Sequence, residues 1–163
     1  MELTFGPKGR LMIDDATIPF SNFAGKEGKY NKAGERDFAV LIPTQEMADA
    51  LIDAGWNVVI KPPENPGDNA FMFMKVRVGF NDYGPDVYLK AGGNVRKLDE
   101  RTVGLLDTID IDRVDMDIRA HNWTYGGRSG RTAWLDKIHV VQRLDRFAAM
   151  YAADERGEGP LPF

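Results

Sequence analysis

The chain has 163 residues, 43% of them hydrophobic, with 21 Lys and Arg against 25 Asp and Glu for a net charge of −4. That length forms one core-bearing domain, placed here at residues 1–152 with a tail at 153–163. Zero cysteines exclude disulfides and thiolate metal sites and point to a reducing interior, two histidines argue against a His-based zinc site, and no apolar run reaches the ~20 residues of a membrane span.

Glu2, Lys8 and Arg10 interrupt any signal-type hydrophobic segment, so a cytoplasmic location is expected. Leu11-Met12-Ile13 reads as a short strand. Residues 25–34 form a basic loop carrying Lys26, Lys29, Tyr30 and Lys32, followed by Arg36. An arm that closes over a bound strand and an ordinary solvated hairpin loop both fit it. It lacks the spacing of a phosphate-binding loop, and a strand rather than a helix follows it. That strand, 36–42, stops at Pro43. Residues 45–54 read as a helix with Thr44 as N-cap and Gly55 as its stop. Strand signals resume at 56–60, and a Pro/Gly loop at 62–69 leads to a long strand at 71–80. Val87-Tyr88-Leu89 is another strand, and Asp99 caps a short helix over 100–106. Two long strands, 108–125 and 131–142, are joined by the Gly-rich loop 126–130 as a β-hairpin. Leu144, Phe147, Ala148 and Tyr151 recur at helical spacing. The fold class that follows is mainly β, an OB-like five-stranded barrel with helical insertions and a disordered acidic C-terminal tail, with a β-sandwich as the alternative.

Side chains alternate across a strand, so each long strand divides into two faces. In 71–80, Met72, Met74, Val76, Val78 and Phe80 form an apolar face, and Phe71, Phe73, Lys75 and Arg77 form the other. In 115–125, Met116, Ile118 and Ala120 point inward, while Arg119, His121, Trp123 and Tyr125 point outward. Arg128 in the hairpin loop and Arg131 and Trp134 on the return strand extend that outer set. Rings interleaved with cations suit a single nucleic-acid strand, because bases stack on aromatics while Lys and Arg neutralise phosphate. The competing account has Trp123 and Trp134 packing across the hairpin beside solvated arginines. Asp107, Asp110, Asp112, Asp115 and Asp117 invite a metal-dependent nuclease reading. Asp110 and Asp112 alternate with Ile109 and Ile111, however, which makes them the wet face of a strand. No metal or cofactor is expected.

The run Phe20-Ser21-Asn22-Phe23-Ala24-Gly25, the basic loop after it, and Arg36-Asp37-Phe38-Ala39-Val40 resemble the N-terminal part of phage single-stranded DNA-binding proteins built on an OB fold. The terminal Leu161-Pro162-Phe163, after Asp154, Glu155 and Glu158, resembles the acidic tip of bacterial single-stranded DNA-binding proteins. The resemblance implies a non-enzymatic protein that coats single-stranded DNA in phage replication or recombination, in the cytoplasm of a bacterial host. Leu161, Pro162 and Phe163 would then recruit replication or recombination proteins. Three acids against Arg156 leave the tail a net charge of −2, which suits hooking a partner better than competing with DNA. A different class also fits: a phage accessory or structural module whose exposed aromatics make a protein interface. Self-association through sheet edges or the last helix stays open.

Overall fold

The structure, a computed structural model, describes residues 1–147 and Met150. Among the described residues the main elements are ten strands and helix α1: β1 (Glu2–Phe5), β2 (Arg10–Asp14), β3 (Phe20–Asn22), β4 (Arg36–Leu41), α1 (Gln45–Asp53), β5 (Val59–Lys61), β6 (Phe71–Val78), β7 (Asp86–Ala91), β8 (Asn94–Leu98), β9 (Ile111–Tyr125) and β10 (Arg128–Gln142). Of the helix expected around Leu144–Tyr151, residues 146–147 and 150 are helical, Leu144 and Asp145 precede it as irregular chain, and residues 148, 149 and 151 lie outside the described residues. The tail at 153–163, with Leu161, Pro162 and Phe163, lies wholly outside them.

The architecture is mainly β with helical insertions, as the strand signals indicate. The sheet is larger than the five strands expected, because short edge strands join it. All ten strands form one hydrogen-bonded sheet in the order β1-β2-β9-β10-β6-β4-β3, with β5 beside β6 and the β7–β8 hairpin beside β10. β10 makes the fork: Trp134 pairs with Arg77 of β6, while residues 137–141 pair with β7. Between the two lies a bulge, where the β9–β10 register shifts between Leu135 and Lys137. One extra residue bends a strand and reverses which side chains face in. Ala133 and Leu135 are buried before the bulge, Ile138 and Val140 after it.

The ladder stays open between β1 and β3, and the chain between β2 and β3 stitches the gap. Ala16 N–H donates to the Val114 carbonyl at 2.8 Å, and Leu41 N–H donates to the Thr17 carbonyl at 2.9 Å. The curled sheet encloses its core. Met72, Met74, Val76 and Val78 of β6 meet Phe38 and Val40 of β4, Leu11 and Ile13 of β2, and Val114, Met116 and Ile118 of β9 there. Helix α1 covers one side through Ala48 and Leu51. The Thr44 hydroxyl accepts from Met47 N–H as expected of an N-cap, and Gly55 ends the helix at φ +94°. The helix expected over 100–106 is instead a 3-10 turn at Val103–Asp107 with Thr102 at its N-cap position; Asp99 accepts from Arg101 and Thr102 N–H in the turn ahead of it rather than capping it. Those hydrogen bonds hold its carboxyl below the ordinary carboxylate range.

Candidate nucleic-acid interface

Strand β6 alternates as its sequence predicts. Its inward residues are buried, Phe71 and Phe73 are half-buried, and Lys75 and Arg77 are exposed. Register carries this outer face sideways. Arg77 stands beside Trp134 of β10, and Trp134 stands opposite Arg119 of β9. Continuing along the hairpin, His121 faces Thr132, Trp123 faces Gly130 and Tyr125 faces Arg128. Phe71, Phe73, Lys75, Arg77, Trp134, Arg119, His121, Trp123, Tyr125 and Arg128 therefore share one face of three adjacent strands.

Two glycines seat the tryptophans. A Cβ on Gly130 would lie 2.4 Å from Trp123 Cζ2, and one on Gly79 would lie 2.8 Å from Trp134 Cζ3. The Trp123 ring packs over the bare backbone of Gly130 and stays 40% exposed, which leaves surface for a stacked base. The two tryptophans thus rest on glycines rather than on each other. The hairpin turn is Gly126-Gly127 alone, with φ +58° and +79°. Positive φ at both central residues is the two-residue geometry that matches strand twist. The strands consequently extend to Tyr125 and Arg128, so the expected five-residue loop shrinks to two.

On the far side of β6, β4 and β3 continue the face. Phe20 is 65% exposed and meets Phe71 edge-on at 6.0 Å, and Phe71 lies 5.5 Å from Phe73. Lys61 Nζ sits 5.6 Å from the Phe73 ring centre. A cleft of about 310 Å³ runs over Phe20, Asn22, Ala39, Phe73 and Lys75. Phe20 and Lys61 were not singled out from the sequence, because what marks them is register: Phe20 pairs with Ala39, which pairs with Lys75, and Lys61 pairs with Phe71. Asp37 tempers the charge, with its carboxylate 3.4 Å from Lys75 Nζ.

The basic loop flanks this face at its base, where Gly34, Glu35, Arg77 and Trp134 line one cavity. It is internally bonded. The Asn22 side chain bonds both the N–H and the carbonyl of Lys26, Gly34 N–H donates to the Gly25 carbonyl, and Lys32 N–H donates to Glu35. Lys26, Lys29 and Lys32 are exposed and Tyr30 is 89% exposed, with Lys29 Nζ 5.4 Å from its ring centre. Gly25 turns at φ +68° against the backbone of Gly34, which a Cβ would approach to 3.2 Å. Phe23 is fully buried and stacks on Phe38 at 5.1 Å.

Two predicted contacts face elsewhere. Arg36 pairs with Val78 on the inward side, donates to the Phe23 carbonyl at 2.6 Å and lies over the Phe80 ring, so it ties down the loop, and it meets the outer face only along the cavity it lines with Arg77 and Trp134. Arg131 pairs with Asn122, on the opposite side of the hairpin from Trp123. The aspartates also have local duties. Asp107 accepts three hydrogen bonds from the 21–24 turn, and Asp112 pairs with Arg143 at 3.5 Å. Burial pushes the Asp115 carboxyl up, but hydrogen bonds from Arg113 and Asp15 N–H outweigh it and hold it below its ordinary range.

The family model described as "Putative phage ssDNA-binding domain" matches residues 3–157. The single-stranded DNA-binding protein from bacteriophage Enc34, in complex with ssDNA, has a similar fold at TM-score 0.56 and 13% identity, over 89% of this chain and 93% of that one. A C-terminal truncation of the Enc34 protein gives TM-score 0.53 and 12% identity, over 88% and 91%. No curated protein sequence matches. With nearly its whole length inside that family model, the chain belongs to the phage ssDNA-binding domain family.

Proposed function

We propose that this protein coats single-stranded DNA without regard to sequence, serving phage DNA replication and recombination in the cytoplasm of the bacterial host. The strand lies across the outer face of β6, β10 and β9, flanked by the 25–36 loop. One observation carries the reading: Arg77, Trp134 and Arg119 stand side by side on three adjacent strands, with Phe73 and Trp123 continuing the rings at either end. Stacking accepts any base, and the cations meet the phosphates. A net charge of −4 does not oppose this, because binding needs only local positive potential.

Fluorescence polarisation with a labelled oligo-dT at two salt concentrations tests it. Each neutralised phosphate of a single strand contributes a log–log salt slope of about −0.7. Affinity should fall steeply as salt rises. No binding at low salt, or binding indifferent to salt, overturns the reading. Within it, Trp123→Ala removes one stacking contact and should weaken binding by about 1–3 kcal/mol. Unchanged oligo-dT affinity in that variant would remove the hairpin from the interface.

The tail supports a second half of the same function. Leu161-Pro162-Phe163, following Asp154, Glu155 and Glu158, offers an aromatic beside acidic residues, a combination that a partner's pocket captures. Deleting Pro162 and Phe163 should leave oligo-dT affinity within about twofold while abolishing co-purification with replication or recombination proteins. A large affinity change on deletion would contradict that division of labour.

A further inference from the structure

The end of the β9–β10 hairpin leaves the body of the sheet. β2 accompanies β9 only as far as Arg119, and β6 meets β10 only at Trp134. Beyond those positions the two strands pair only with each other up to Gly126-Gly127, and an isolated two-stranded ribbon is marginally stable in water. Yet this arm carries Trp123, Tyr125 and Arg128. Among the described residues, hydrogen bonds from Arg131 and Asn57 join it to the body. Arg131 Nη1 donates to the Ala54 carbonyl at 2.9 Å, at the C-terminal end of α1, where carbonyls lack helical partners. Its Nε donates to Asn122 Oδ1 at 2.8 Å, across the arm. Its guanidinium lies 4.9 Å from the ring centre of Trp56, which is buried in the core. Asn57 Nδ2 completes the joint by donating to the Arg131 carbonyl at 2.6 Å. Gly55 makes room, since a Cβ there would approach the guanidinium to 3.1 Å.

We infer that Arg131 is a positioning residue that clamps the DNA-binding arm to the α1–β5 connection and sets where Trp123, Tyr125 and Arg128 meet the strand. It does so without neutralising a phosphate itself. This rests on the reading that the outer face binds single-stranded DNA. Arg131 also borders a cleft shared with Lys75 and Arg77, so a direct phosphate contact is the rival role. The two roles separate by salt. A clamp loses affinity while keeping its salt slope, whereas a phosphate contact loses slope as well, by about 0.7. They also separate by chemistry. Lysine preserves a point charge, but it cannot donate to Ala54 and Asn122 at once while also covering the Trp56 ring.

The experiment measures oligo-dT affinity across a salt series for the parent, Arg131→Ala, Arg131→Lys and Asn57→Ala, with urea unfolding of each. Asn57 is exposed and uncharged, so its variant keeps the test open if Arg131→Ala fails to fold. The expected result is about a tenfold loss in both Arg131 variants, the scale of one hydrogen bond from a charged group, with unchanged slope. Asn57→Ala should shift in the same direction, again with unchanged slope. A reduced slope in Arg131→Ala with binding restored by lysine overturns the clamp in favour of phosphate contact. Parent-like affinity in all three variants overturns it outright. If the parent itself does not bind, the underlying DNA-binding reading fails instead.

Discussion

Replacing Asp107 with alanine is expected to destabilise the fold by on the order of 3 kcal/mol, a large share of the roughly 5–15 kcal/mol that holds a domain of this kind together. One carboxylate oxygen accepts from the Ser21 hydroxyl at 2.7 Å and from Phe23 N–H at 2.9 Å, and the other accepts from Ala24 N–H at 2.8 Å. The two amides are part-buried in a tight turn, so alanine leaves them without acceptors and at the cost of their lost hydration. The turn they shape delivers Phe23 to its stack on Phe38 and begins the basic loop at Gly25. Gly104, just before Asp107, packs so closely that a Cβ on it would lie 3.0 Å from Ala24 Cβ, which leaves the turn little room to relax. Asp107→Asn should recover only part of the loss, because whichever amide oxygen arrangement forms, one oxygen is gone and an NH2 faces a backbone donor. Ser21→Ala, at an exposed hydroxyl, should cost under about 1 kcal/mol. Urea unfolding measures all three; an Asp107→Ala midpoint equal to the parent's would show that the turn stands without its carboxylate.

This turn also illustrates what a linear reading delivers. Residues 71–78 were legible because period-two alternation is imposed wherever one face of a strand is buried and the other is wet. Thr44 and Gly55 were legible because helix ends demand a side-chain acceptor and a positive φ. Asp107 was not, since its partners lie more than 80 residues away and an aspartate in an acidic stretch looks like any solvated one. The short edge strands β1, β3 and β8 escaped for a different reason. They bury one residue among them, Leu98, so no alternation marks them. Phe20 becomes part of the aromatic row only through β3–β4–β6 register. Arg36 and Arg131 were placed by their charge, which says nothing about direction. One signal did exist for Arg131. Taking Gly126-Gly127 as a two-residue turn fixes the cross-strand pairs, sets Trp123 opposite Gly130, and leaves Arg131 opposite Asn122 on the other side.

Arg77→Glu should have the largest single effect on DNA affinity, a loss of tenfold or more, as one phosphate contact goes and a repulsive charge takes its place. Arg77 occupies the crossing point of the face. It borders the cleft beneath Trp56 and Arg131 on one side and the cavity beneath Trp134 and the basic loop on the other. Its cross-strand neighbour Asp37 has its carboxylate against Lys75, so the Arg77 guanidinium is the less neutralised of the two β6 cations. A strand laid over Trp134 must pass it. The salt slope should shrink by about 0.7, the share of one phosphate on a single strand. Arg96→Glu supplies the control. It makes the same charge change on β8, the exposed edge strand of the other wing of the sheet, beyond β7. If groove geometry governs binding, Arg96→Glu should alter affinity by less than about twofold, because exposed charges more than a Debye length of ~8 Å apart are largely screened at physiological salt. Equal losses in the two variants would mean that DNA responds to overall charge, and the face assembled around Arg77 and Trp134 would lose its claim to be the binding surface.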